Sequence, residues 1–242
     1  LYRTGEKHLR ALCRKAGKDE FVMKILFIGN SFTYMNAMPE NIFSLLCASM
    51  GKEAYIYSVT KGGYKLSQYA DPENEQGQRL RQLLSSEVFD LAVLQEQSVL
   101  PASDPEAFFE GARSLAALIG SYGTKNLMLY ETWGHLKGSK RFDDMGITTE
   151  QMEALLRVSY MRLSDEMGLP LALVGKAFGE CRAKYPDIAL IAQDCHHPTY
   201  AGSYLAALVI FRQVWKESVK SGAFCGELDR ETAQQLIEIA AI

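Results

Sequence analysis

Five short apolar runs, at residues 24–28, 54–60, 89–95, 126–131 and 171–174, each give way to a longer stretch with helical periodicity. Most are continuous rather than alternating, and Leu91-Ala92-Val93-Leu94 carries no polar side chain at all. A strand that is apolar at every position must be covered on both faces, which is the habit of parallel sheets. The intervening stretches predict helices over 39–49, 75–85, 104–119 and 150–167, the last with Met152, Leu155, Leu156, Ser159 and Leu163 on one stripe. Two more follow, over about 200–220 and 229–240. Breakers at Met50-Gly51 and at Met167-Gly168-Leu169-Pro170 stop two of the helices ahead of a strand. Repeated β-α-β units cross over right-handed and build an open parallel sheet with helices on both faces. In such sheets ligands bind beyond the carboxyl ends of the strands, so polar residues at strand ends are the places to look for chemistry.

With 242 residues, 48% of them apolar, the chain can bury a full core. It has no internal repeat, low-complexity tract or linker, so residues 23–242 read as one domain. Residues 1–22 are charged throughout and read as an N-terminal extension with a helix as its candidate form. Twenty-six Lys and Arg against 29 Asp and Glu leave a net charge of −3 with no basic block, which argues against a nucleic-acid partner. The charge-free stretch 195–211 contains two His, a Pro and a Gly and falls short of the roughly 20 apolar residues of a membrane span. The five cysteines (13, 47, 181, 195 and 225) are scattered without a C-x-x-C pair. Cys47, on a helical pattern, reads as a small buried hydrophobe. Unpaired thiols, and a start without a signal-peptide core, favour the cytoplasm.

Four places stand out. After the first run, Gly29-Asn30-Ser31 makes a sharp turn that lifts Ser31 toward a helix N-terminus, where a serine can act as nucleophile beside N–H groups that favour an oxyanion; Asn30 and Ser31 also suit a simple turn and helix cap. After the second, Thr60-Lys61-Gly62-Gly63-Tyr64 lets the backbone approach a ligand or merely turn. After the third, Gln95-Glu96-Gln97-Ser98 closes an apolar run with amides, and Gln95 and Gln97 share a face by strand alternation. Near the C-terminus, Asp194-Cys195-His196-His197-Pro198 precedes a long helix. The chain has four histidines (8, 135, 196 and 197), and a carboxylate beside one of them would fix its tautomer and stabilise the imidazolium. Asp194, His196, His197 and His135 are also a weaker metal candidate, lacking an H-x-x-x-H pair.

Taken in order, these blocks resemble the SGNH (GDSL-type) hydrolases: a serine after strand one, a glycine after strand two, an amide-bearing residue after strand three, and D-x-x-H near the C-terminus. The likeness spans residues 24–215, and His197-Pro198-Thr199-Tyr200-Ala201-Gly202 is similar to the family's H-P-[ST]-x-x-G continuation, which selects His197 over His196. The resemblance implies a flavodoxin-like three-layer α/β/α sandwich with a five-stranded parallel sheet in the order 2-1-3-4-5, and esterase or lipase activity without a metal or other cofactor. It implies Ser31 as nucleophile, His197 as base and Asp194 as the residue that orients it. The N–H groups of Ser31 and Gly63 would line the oxyanion hole. The family's third donor, an Asn in a G-x-N-D block, is missing here; Gln97 is the first candidate to replace it and Gln95 the second.

Tyr34, Trp133 and His135 fall where they could shape a substrate pocket, although Trp133 suits a core position at least as well and Tyr34 could simply pack the first helix, and His135 is a rival base without a neighbouring carboxylate. With no long apolar lid, the expected substrate is a small-molecule acyl ester, an acetyl group on a carbohydrate being favoured. The alternative is a non-catalytic flavodoxin-like module that binds an anion or other ligand at the first loop, for which Ser31 and His197 need not meet.

Overall fold

The computed structural model describes residues 22–241. The domain opens with β1 (Met23–Gly29) and a single helical turn, α1 (Ser31–Tyr34). Asn36 and Ala37 then adopt left-handed conformations (φ 57° and 49°), and the chain resumes as a π-wound segment, Met38–Phe43, running directly into α2 (Ser44–Ser49). There follow β2 (Ala54–Thr60), α3 (Leu66–Ala70), α4 (Glu75–Ser86), β3 (Leu91–Leu94), α5 (Leu100–Ser103) and α6 (Pro105–Ser121). The rest of the chain forms β4 (Leu127–Tyr130), α7 (Lys140–Asp143), α8 (Thr149–Met167), β5 (Leu171–Ala172), α9 (Val174–Lys184), α10 (Tyr200–Trp215) and α11 (Arg230–Ala240).

The five strands are all parallel, in the order β2-β1-β3-β4-β5. Alternation along β1 sends Ile25 and Phe27 to one face, where they pack with α2, α9, α10 and α11. Leu26 and Ile28 go to the other, with α3, α4, α6 and part of α8. The result is the flavodoxin-like three-layer sandwich, and the apolar runs are continuous because both faces are covered.

Several boundaries differ from expectation, each for a local reason. The third strand ends at Leu94, so Gln95 and Gln97 lie beyond the pleat and do not share a face. The run at 171–174 is strand only over Leu171–Ala172, because α9 takes Val174 onward. The helix from Tyr200 stops at Trp215, where Lys216 turns left-handed (φ 55°). On α8, Leu155 is exposed while Tyr160 joins the buried stripe. Cys47 is buried as expected. The expected N-terminal extension lies, but for Val22, outside the described residues, and β1 begins at Met23. Among the described residues no helix is long and apolar enough to cross a membrane.

Candidate active site

β1 stops where Gly29 passes so close to its neighbours that a Cβ would sit 2.5 Å from Thr33 Oγ1 and 2.6 Å from Gln95 Oε1. Asn30 next joins three loops. Its Oδ1 accepts from the Phe32 N–H (3.2 Å), and its Nδ2 donates to the carbonyls of Tyr64 (3.0 Å) and Glu96 (3.3 Å). Gln95 secures the same turn from below: its Oε1 accepts from the Asn30 N–H (2.9 Å) and the Thr33 hydroxyl (2.8 Å), and its Nε2 donates to the Glu96 carbonyl. The loops after β1, β2 and β3 are thereby fixed around Ser31. The helix that Ser31 opens is a single turn, so the dipole expected there is correspondingly small.

Across the cleft, 166 positions along the chain, His197 Nε2 lies 2.8 Å from Ser31 Oγ. Its Nδ1 lies 2.6 Å from Asp194 Oδ2, and Asp194 Oδ1 accepts the backbone N–H groups of His196 (3.2 Å) and His197 (3.0 Å). Partial burial pushes the Asp194 carboxyl upward, but the His197 ring and those two N–H groups outweigh it and hold the group at about 2. An ionised carboxylate can only accept, so Nδ1 of His197 carries the proton and the Nε2 lone pair faces the serine. The loop bearing these residues is closed by His197 O accepting from Ala192 N–H (2.8 Å). Asn36, in its left-handed conformation, donates to Ser203 Oγ (2.8 Å) and the Thr199 carbonyl (3.1 Å), which ties the turn after Ser31 to the histidine loop.

Ser31, Gly63 and Gln97 all line the cleft, and three of their donors have no acceptor among the described residues: the N–H groups of Ser31 and Gly63, and Nε2 of Gln97. Gly63 adopts φ 71°, which suits glycine. Gln97 Oε1 accepts from Val99 N–H (3.1 Å) and Leu100 N–H (3.0 Å) at the start of α5, so the oxygen end is committed and the amino end is turned away from it. Gln95, the second candidate donor, has both ends of its carboxamide bound beneath the turn. A hydroxyl hydrogen-bonded to an imidazole, in a cleft whose lining residues keep N–H donors unpaired, is an arrangement suited to nucleophilic acyl transfer.

The cleft has a volume of about 500 Å³. Tyr34 stands at its rim, and His135 lines it. The ring of His135 is clamped between Ser139 Oγ (2.9 Å from Nδ1) and Ser98 Oγ (3.0 Å from Nε2), so both of its nitrogens are engaged by hydroxyls other than Ser31. Burial, and then the nearby His196 and Arg141, push His135 down to about 3, so it is neutral. Trp133 corrects the expectation of a pocket wall: it is fully buried beneath the cleft, stacked on Phe178 (4.1 Å) and Phe32 (4.4 Å), with Nε1 donating to the His196 carbonyl (3.0 Å). Asp194, His196 and His197 offer ligand atoms within 4.8 Å of one another, as a metal site would require. Both ring nitrogens of His197 are already bound to Ser31 and Asp194, and a metal there would have to displace one of them.

Some residues of the site had no role assigned from the sequence. Glu96 is fully buried, accepting from Gln97 N–H (2.6 Å) and Leu66 N–H (3.2 Å), and so joins the Gln97 and Gly63 loops. Burial pushes its carboxyl up to about 7, against the pull of those N–H groups. Asn36, Lys140 and Arg141 lie in no periodic pattern, and only the tertiary fold brings the first to the histidine loop and the other two to the cleft.

A structure of a protein from Slackia heliotrinireducens, described as an SGNH hydrolase, is similar at 30% identity with a TM-score of 0.68, covering 80% of this chain and 99% of that one. The chain belongs to the SGNH hydrolases. A DUF4886 family protein from Bacteroides uniformis is alike in fold, with a TM-score of 0.74 at 18% identity over 91% of this chain and 93% of its own. So is the psychrotrophic esterase EstA from Pseudoalteromonas sp., at 0.55 and 12% identity over 82% and 98%. No family model matches the chain, and no curated protein does.

Proposed function

We propose that this hydrolase is a serine esterase that cleaves short acyl esters, with an acetylated carbohydrate as the favoured substrate. The observation that carries the reading is the unbroken chain of hydrogen bonds from Ser31 Oγ through His197 to Asp194. A non-catalytic binding module has no need of that contact.

His197 Nε2 takes the Ser31 proton as Oγ attacks the ester carbonyl. Asp194, ionised far below neutral pH, stabilises the imidazolium and keeps the ring in register. The carbonyl oxygen, now negative, sits among the Ser31 N–H, the Gly63 N–H and Gln97 Nε2. The imidazolium returns its proton to the departing alcohol, leaving an acyl-serine. Water, deprotonated by the same nitrogen, then releases the acid and restores Ser31. A small acyl group is favoured because most of the residues that line the cleft have polar side chains. All four cysteines among the described residues are free, which fits a reducing compartment such as the cytoplasm.

The test is hydrolysis of 4-nitrophenyl acetate and of acetylated oligosaccharides by the wild-type chain and by Ser31→Ala. The reading expects turnover that the substitution abolishes and that a chelator leaves unchanged. Activity retained by Ser31→Ala, or removed by the chelator, contradicts it.

A further inference from the structure

The same cleft carries an unbalanced charge. Lys140 and Arg141, on the short helix α7, both line it, both are exposed, and neither has an ion-pair partner among the described residues. No Asp or Glu side chain lines the cleft. In a chain of net charge −3 that local excess runs against the composition. Asp143, on the same helix, and Asp144, just after it, do not line the cleft and make no ion pair with either cation. Lys61, beside the Gly62-Gly63 turn, is by contrast paired with Glu75 (3.2 Å).

The two cations are held on a fixed platform. Ser139, which immediately precedes α7, gives its hydroxyl to His135 rather than to a helix cap, and His135 in turn reaches Ser98, the residue after Gln97. Phe142, on the same short helix, is buried. The positive charge is therefore pinned to the loop that carries the third oxyanion donor. Such a placement acts on a part of the substrate that does not react, by attraction and by steering.

Resting on the esterase reading, we infer that the preferred substrate is an ester bearing a negative charge on its non-reacting portion, a carboxylate, sulfate or phosphate, which Lys140 and Arg141 receive while the acyl carbonyl faces Ser31. Neutral esters are the poorer class.

The test compares kcat/KM for 4-acetoxybenzoate and for its uncharged methyl ester, in the wild-type chain and in the double variant Lys140→Gln, Arg141→Gln. Comparing the ratio between proteins cancels the intrinsic reactivity of the two esters. Two exposed charges several ångströms from an anion predict that the anionic-to-neutral ratio falls by roughly five- to tenfold in the variant. They also predict that salt at about 0.5 M lowers the wild-type ratio. Lys125→Gln, which removes one charge just before β4 at the opposite edge of the sheet, serves as the control and keeps the wild-type ratio. Turnover of both esters with a ratio that the double variant leaves unaltered overturns the inference and leaves the esterase reading standing. No turnover of either ester by the wild-type chain, with Ser31 unreactive toward acylating probes, overturns both.

Discussion

Gln97→Glu separates oxyanion donation from loop architecture, because the two ends of the Gln97 carboxamide have different tasks. The oxygen accepts from Val99 N–H at 3.1 Å and Leu100 N–H at 3.0 Å, and glutamate supplies an oxygen at the same place. At the other end the substitution replaces an N–H donor by an oxygen, and charges it, where the transition-state oxyanion is proposed to sit. Loss of a single donor of this kind costs about 10²–10³ in kcat, or about 3–4 kcal/mol, and repulsion by the carboxylate pushes the effect toward the upper end. The contact with the start of α5 is retained and no cavity opens, so the stability loss is confined to burying a second carboxylate beside Glu96, and the variant should still melt in one cooperative transition. The assay is steady-state hydrolysis of 4-nitrophenyl acetate at about pH 9, where the new carboxyl is ionised, with kcat and KM resolved and a thermal melt alongside. Gln95→Glu is the comparison. Its amino group donates to the Glu96 carbonyl, so that variant should lose stability through an oxygen–oxygen clash beneath the turn. A Gln97→Glu enzyme whose kcat stays within about threefold of wild type, in a protein that melts normally, would refute the assignment of the third donor.

Asp194→Asn should leave the fold intact but lower kcat by about 10³–10⁴ with little change in KM, since the amide no longer holds the protonated Nδ1 of His197 in register; paired kcat and KM measurements check this. Glu96, raised to about 7 by burial, binds its proton more tightly folded than unfolded. Its contribution to stability therefore declines as pH rises from the unfolded value of 4.5 to about 7 and is constant above that. Glu96→Gln keeps an oxygen for both N–H groups and removes the slope. By urea titration, the variant's stability relative to wild type should be greater at about pH 7.5 than at about pH 5, by about 2–3 kcal/mol.

The strands were readable because a sheet covered on both faces demands apolar side chains at every position, and residues 91–94 offer nothing else. The blocks around Ser31, Gly63 and Asp194–His197 were readable because each is a local motif placed at a strand end or ahead of a long helix. Helix α9 was not foreseen: its sequence contains Gly175 and Gly179, and Gly175 is present because the Thr132 carbonyl oxygen lies 2.1 Å from where a Cβ would be. Packing of Phe178 and Cys181 under the sheet, rather than propensity, makes it helical. The two glutamines could not be told apart by alternation, because the strand ends before either of them and each turns toward a different loop. Trp133, three residues past β4, suited a pocket wall or a core position equally by sequence, and its bulk fills the layer below the cleft. The cations of α7 belong to no pattern of spacing, and their position depends on contacts made by His135 with residues on either side of it.

The central claim is that Ser31 is an activated nucleophile, and covalent capture addresses it most directly. Incubated with a fluorophosphonate probe and read by intact-protein and peptide mass spectrometry, the wild-type chain is predicted to gain a single adduct, located on Ser31 and absent from Ser31→Ala. A folded wild-type protein that acquires no adduct, or acquires one at another residue, would contradict the account.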